Sequence, residues 1–312
     1  MAAFEDLSGS SAGPSSLTSK NPYEALIEAC EDDPAQIQAR YSSHRANRNA
    51  QQRAKLLAPD FPGVVVDDIL AKLDDPTIEP DFTDWRHCLV FWARPPPSVG
   101  PLVATIQHRL LQVAPNLWTM PAQNLHMTAL EVIHSLTAQE IDAMVEKMLP
   151  GVPDITDYTR EHRARLVKPL VSYDAQALAL SFLPAAGEPG RVTDDSYTYH
   201  HLRRDLHNKA QSTGVKVASR YVIPSAHLTI ARFVTKRDFE TADGDLDHAK
   251  VETLIAAIDE INNWLEVEYW PRQDSVHAGG EWIVGEGKGL DFRKGALWYG
   301  GGGETVHLGE GF

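Results

Sequence analysis

The sequence predicts an α+β protein with an internal duplication and a helical N-terminal extension. Three observations lead there. A short apolar stretch carrying a histidine and a threonine two residues apart occurs twice, from Asn124 to Leu130 (NLHMTAL) and from Ser225 to Ala231 (SAHLTIA). The elements expected around each copy follow the same order: a helix, the H-x-T strand, a second helix, then further strands. Finally, the texture changes at Trp85, before which the chain reads as helices alone.

Composition narrows the class. Apolar residues make up 43% of the 312 and charged residues 23%, which is enough to bury a core and too little charge for a disordered chain. The opening residues have neither a basic nor an apolar segment of a secretory signal, and no apolar run approaches membrane-spanning length. Two distant cysteines, Cys30 and Cys88, make no disulfide framework, so a cytoplasmic location is expected, with the nucleus as the alternative. The net charge of −14 argues against an extended nucleic-acid surface. Between Arg160 and Arg237, however, 13 Lys and Arg face 6 Asp and Glu, a local +7, which leaves −21 on the rest. That asymmetry suits a small anionic ligand.

Along the chain, residues 1–20 are rich in Ser, Gly and Pro and are expected to be disordered. Asn21-Pro22 and Asp33-Pro34 each open a helix, the second running towards Pro59, and a short third follows before Pro76. This extension, 21–84, is expected to contribute nothing to a catalytic site. From Arg86 a β-rich stretch ends at three prolines. Val103, Ile106, Leu110 and Val113 then repeat at helical spacing, and NLHMTALEVI is a strand. Thr137 and Glu140 are spaced as a capping box that starts a helix running through Met148. Two strands follow, from Ala164 to Tyr173 and from Gln176 to Pro184, and the order begins again with a helix ending at Gly214. After the second H-x-T strand comes a strong helix from Leu246 and then short Gly-punctuated strands. Gly300 to Gly303 read as a flexible exit, and 304–312 as a tail.

Side chains at i and i+2 of a strand share a face. His126 and Thr128 therefore point together, as do His227 and Thr229. If the two halves face each other, two imidazoles flank one cleft and serve as general acid and general base. Two threonine hydroxyls would hold the non-bridging oxygens of a phosphate between them. Such a set cleaves a phosphodiester without a metal or other cofactor, and its pH profile would be bell-shaped, with both limbs near the ordinary histidine pKa of ~6.5.

These motifs resemble those of the two-histidine phosphoesterase superfamily. HLTIAR, His227 to Arg232, is very like the second motif of its 2′-5′ RNA ligase-like members, and NLHMTAL looks like their first. The resemblance covers Trp85 to Gly303. It implies a bilobal fold, two antiparallel sheets flanked by helices around a central cleft. It also implies a cyclic phosphodiesterase with His126 and His227 as the acid–base pair and Thr128 and Thr229 as phosphate clamps. The expected substrate is a small nucleotide or an RNA end bearing a 2′,3′-cyclic phosphate. The alternatives are a nucleotide-binding module without turnover and an RNA 2′-5′ ligase. Glu131 departs from the usual apolar continuation of the first motif and would disfavour an anion if it faced the cleft.

Other candidates are weaker. Arg232 sits five residues after His227, where the resemblance implies an Arg or Tyr near the phosphate, but strand parity turns an odd offset to the other face unless the strand bends. Tyr199 and Tyr221 offer aromatic surfaces on which a base could stack. The polar stretch from Ala185 to His201 reads as a mobile lid or an exposed connection. His200, His201 and His207 lack the spacing of a helical metal site, so no metal is expected.

Overall fold

The computed structural model describes residues 21–191, 194–219, 222–273, 275 and 277–312; the expected disordered leader and Tyr221 lie outside them. Two antiparallel sheets make the framework. Strands β1 (His87–Ala93), β3 (Met127–Leu136), β8 (Asp291–Gly295) and β9 (Gly303–Leu308) form the first, in the order β3-β1-β8-β9. Strands β2 (Trp118–Thr119), β4 (Arg165–Tyr173), β5 (Ala177–Pro184), β6 (Ala226–Arg232) and β7 (Glu281–Ile283) form the second, in the order β2-β6-β5-β4-β7. Helices α4 (Val99–Leu111), α5 (Ala138–Met148), α6 (Val152–Thr156), α7 (Tyr199–Ser212) and α8 (His248–Tyr269) flank them. The fold is thus α+β with two sheets, as the sequence predicts.

The duplication is real but runs differently from the linear order. Strands β4 and β5, which follow the first H-x-T strand, belong to the second sheet, while the C-terminal β8 and β9 return to the first. The repeated unit is therefore β1-α4-β3-α5 against β5-α7-β6-α8, with the motif strand paired antiparallel to its predecessor in each. The stretch from 304 is correspondingly no tail, because Gly303–Leu308 pairs with β8. Gly300 and Gly302, at φ +76° and +74°, make the turn that brings it back.

The N-terminal helices are α1 (Glu24–Ala29), α2 (Pro34–Leu56) and α3 (Asp68–Asp74). The local signals act as read: Asp33 caps α2 by accepting from the Ala35 N–H at 2.9 Å, and Thr137 with Glu140 forms the capping box of α5. The extension is not peripheral, however. Tyr23, Ile37, Tyr41 and Leu56 are buried in the same apolar core as β1, β3, β5 and β6. The histidines of α7 explain part of this seam. His200 donates from Nε2 to the Tyr23 carbonyl and accepts at Nδ1 from the Tyr41 hydroxyl, both at 2.9 Å. His201 Nε2 meets Asp32 at 2.6 Å. They fasten α1 and α2 to α7.

Much of the local excess of positive charge is engaged in internal pairs. Arg165 bridges Asp195 and Glu281, Lys168 meets Glu188, and Arg191 reaches Glu281 and Glu286. These pairs also anchor the described part of the stretch from Ala185 to His201, whose last three residues open α7. None of its described residues lines the cleft, so the sequence reading of a lid gives way to that of a tethered connection.

Candidate active site

Between the sheets lies a cleft of about 120 Å³ whose walls include His126, Thr128, His227 and Thr229. The repeated motif is brought together in space. Pairing explains which side chains reach it. Thr128 is opposite Trp92 on β1, and Thr229 and His227 are opposite Ala179 and Ser181 on β5, so each motif shares its face with small or aromatic neighbours. The four motif side chains are half-buried, with Met127 and Leu228 turned into the core.

Each motif strand then carries a bulge at the same place. On β3 the pairing steps from Thr128 to Leu130 against consecutive residues of β1, which leaves Ala129 extra. On β6 it steps from Thr229 to Ala231 against consecutive residues of β5, which leaves Ile230 extra. An extra residue reverses the alternation that follows it. The side chains five positions after each histidine, Glu131 and Arg232, consequently return to the cleft. Strand parity alone places Arg232 on the opposite face, and the bulge overturns that. The two halves present His-Thr-Glu and His-Thr-Arg, alike in geometry and opposite in charge at the third position.

The two histidines differ in their surroundings. His126 donates from Nδ1 to the Asn124 carbonyl at 2.7 Å, which leaves Nε2 as the free ring nitrogen. Its ring stacks on the indole of Trp92, with centroids 3.7 Å apart and planes at 19°. The guanidiniums of Arg94 and Arg293 lie 4.9 and 5.0 Å from the centre of that indole. Burial pushes the His126 pKa down to about 3; Arg94, Arg293 and His227 act in the same direction, against the Asn124 carbonyl. His227 instead meets the Ser225 hydroxyl at Nδ1, at 2.9 Å, a partner that accepts or donates as the ring requires.

Several wall residues are not among those to which the sequence points. Asp67, from the N-terminal extension, caps α3 and holds Arg232 Nη1 at 3.1 Å and the Tyr299 hydroxyl at 2.6 Å. Arg86 is bidentate on Asp84, with its guanidinium 4.5 Å from the Trp298 ring centre. Arg203 on α7 is only 1% exposed, donates to the Ile223 carbonyl at 2.8 Å, and keeps its Nε without a hydrogen-bond partner among the described residues. Period-two reading of β1 could have found Trp92 beside Val90 and Cys88, since all three share the cleft face. Nothing local marks Arg203 or Asp67, which sit in ordinary polar helical sequence.

Tyr199 does not serve as a stacking surface. It is 0% exposed as the first residue of α7, with its hydroxyl on the Thr128 carbonyl at 3.4 Å, so it supports the first motif strand from behind. Among the described residues no group of three or more His, Cys, Asp or Glu is placed to hold a metal ion, and no helix is long and apolar enough to cross a membrane.

The fold is similar to solved structures at low identity. TT0787 of Thermus thermophilus is 16% identical, with a TM-score of 0.38 over 72% of this chain and 97% of that one. Usb1 of Kluyveromyces marxianus is 12% identical, with a TM-score of 0.34 over 73% of this chain and 98% of that one. The same protein with uridine monophosphate gives 12% and 0.34 over 72% and 98%. Neither the protein-family models nor the curated proteins give a match.

Proposed function

We propose that this chain is a two-histidine phosphodiesterase that hydrolyses a 2′,3′-cyclic phosphate on a nucleotide or RNA end. The observation that carries the reading is the pairing of two His-Thr sets across one cleft, with the two imidazoles held in unlike hydrogen-bonding environments. Unlike environments are what a concerted acid–base pair needs, since one ring must be neutral while the other is protonated.

The assignment of roles follows from the partners. A carbonyl only accepts, so Nδ1 of His126 carries its proton and Nε2 offers a lone pair when the ring is neutral, the form that its burial favours. His126 is the general base. It takes a proton from water as the water oxygen attacks phosphorus. His227, whose imidazolium is satisfied by the Ser225 hydroxyl, is the general acid and protonates the ribose oxygen as its bond to phosphorus breaks. Thr128 and Thr229 donate to the two non-bridging oxygens as charge builds on them. Arg232 and Arg203 supply positive charge at the cleft wall, Arg232 by sharing its guanidinium with Asp67. After turnover His126 is protonated and His227 neutral, and exchange with solvent resets both.

The test is turnover of a panel of 2′,3′-cyclic mononucleotides in excess EDTA, beside equilibrium binding of the corresponding monophosphates. Product formation that survives EDTA is the expected result. Binding without product in every case would reject the enzyme reading, and activity restored only by a divalent cation would reject the mechanism.

A further inference from the structure

Beyond His227 the cleft continues into a second, smaller pocket of about 30 Å³. Ser225 and His227 line both spaces. The floor of the smaller one is the continuation of the face that carries the second motif: Ala179 and Ser181 on β5 and Ser172 on β4, small side chains that leave a gap above the sheet. Its roof is α2, from the N-terminal extension, which contributes His44, Arg45 and Arg48.

The charges of the two spaces differ. The main cleft mixes Asp67, Glu131 and Asp174 with Arg86, Arg203 and Arg232. The smaller pocket has two guanidiniums, Arg45 and Arg48, and two imidazoles, His44 and His227, on its walls and no carboxylate among its lining residues. Arg45 is fixed there, 7% exposed, with Nη1 on the carbonyls of Lys168 and Ser181 at 2.7 and 3.3 Å. Burial pushes its pKa down only to about 9, so it stays charged at neutral pH. Arg48 lies 3.7 Å from Asp174, where the two spaces meet. In a chain of net charge −14, a cationic recess opening beside the catalytic acid is a specific anion site rather than a general surface property.

We infer that this recess binds the phosphate next to the scissile one, so that the substrate is the end of an oligonucleotide rather than a free cyclic mononucleotide. The inference rests on the reading of the main cleft as a phosphodiester site. It gives the N-terminal extension a part in substrate choice: α2 supplies the cations and β4 and β5 supply the space. At about 30 Å³ the recess is too small for a base, so a phosphate engages its cations from the cleft side, and the recess selects for chain length and leaves base identity to the main cleft.

Binding tests this on the full chain, by titration calorimetry with uridine 3′-monophosphate and uridine 3′,5′-bisphosphate. The second phosphate should tighten binding by about tenfold or more, the low end of what a charge-assisted hydrogen bond contributes. Arg48→Gln and, separately, His44→Gln should remove most of that advantage by weakening the bisphosphate far more than the monophosphate, and circular dichroism checks that each variant is folded. Equal affinities in the wild-type chain, an advantage that survives both substitutions, or an equal loss for both nucleotides in both variants overturns the inference. Because binding is the readout, a chain that shows the advantage but turns over no cyclic phosphate keeps the subsite and loses the catalytic reading. Turnover without the advantage does the reverse.

Discussion

The imidazole of His126 lies flat on the indole of Trp92, 3.7 Å between ring centroids, while Arg94 and Arg293 stand over that same indole. Trp92 is therefore a platform that fixes the plane of the His126 ring and keeps two cations one ring away from it. Replacing Trp92 with Leu should lower kcat about 10-fold or more through misplacement of the base, whereas Phe, which keeps a flat ring, should retain most of it. Circular dichroism and thermal melts check the fold of both variants. A Leu variant with wild-type kcat would show that the stack plays no part in turnover.

Removing either histidine should cost much more. His126→Ala and His227→Ala should each lower kcat by about 10²–10⁴-fold, the usual contribution of one proton-transfer group. The double variant should fall little further, because the pair acts as a unit. Near-wild-type turnover in either single variant would remove that residue from the mechanism.

The pH dependence follows from the His126 environment. With its pKa held down at about 3 in the free protein, the acid limb of kcat/KM should lie well below the ordinary histidine range, in contrast to the symmetrical bell expected from two unperturbed histidines. Bound phosphate favours the imidazolium, so the acid limb of kcat should sit higher than that of kcat/KM. The same shift bears on stability. His126 and His200 are both depressed to about 3, His200 by burial first and then by Arg203. A depressed histidine is neutral when folded, so its contribution is complete above the unfolded value of ~6.5 and is lost as pH falls from there towards the folded value. Tm should drop steadily between those limits, and less steeply in His200→Gln. A Tm flat down to about pH 4, a full unit above the folded values and well below the unfolded one, would contradict neutral rings at His126 and His200.

Glu131 and Arg232 occupy matching positions after the two bulges and should act oppositely on an anionic substrate. Glu131→Gln removes a carboxylate from the cleft wall and should lower KM for a cyclic phosphate. Arg232→Gln should raise KM, with a smaller effect on kcat. Steady-state kinetics at two salt concentrations would reveal the electrostatic origin, since both effects should shrink as salt rises. Changes of the same sign in both variants would mean that the third positions act by packing instead.

The N-terminal extension gives the last prediction. The sequence leads one to expect that the extension contributes nothing to a catalytic site, so that a chain starting near Asp81 would retain the chemistry. The structure argues otherwise, because that cut removes Tyr23, Ile37, Tyr41 and Leu56 from the shared core and Asp67 from the cleft wall. Losing these four buried side chains, each worth roughly 1.5–3 kcal/mol, is comparable with the whole stability of an ordinary domain. The truncated chain should show no cooperative unfolding transition. A folded, active fragment would return the extension to an accessory role.

The sequence by itself determined the local features: the caps at Asp33 and Thr137, the helical and strand periods, and the facing of His126 with Thr128 and of His227 with Thr229. Each depends on residues within a few positions of one another, so one strand or one turn of helix carries all the information. What only the tertiary structure decided depends on a partner strand or a distant segment. Whether Ala129 and Ile230 are bulges is a property of the pairing with β1 and β5, and that alone brings Glu131 and Arg232 into the cleft. The membership of β4, β5, β8 and β9 in their sheets is a matter of long-range closure that element order does not encode. Arg203, Asp67 and the cations of α2 look like solvated helix faces in sequence. They come to line the cleft and its recess because the apolar sides of α2 and α7 are buried against the sheets.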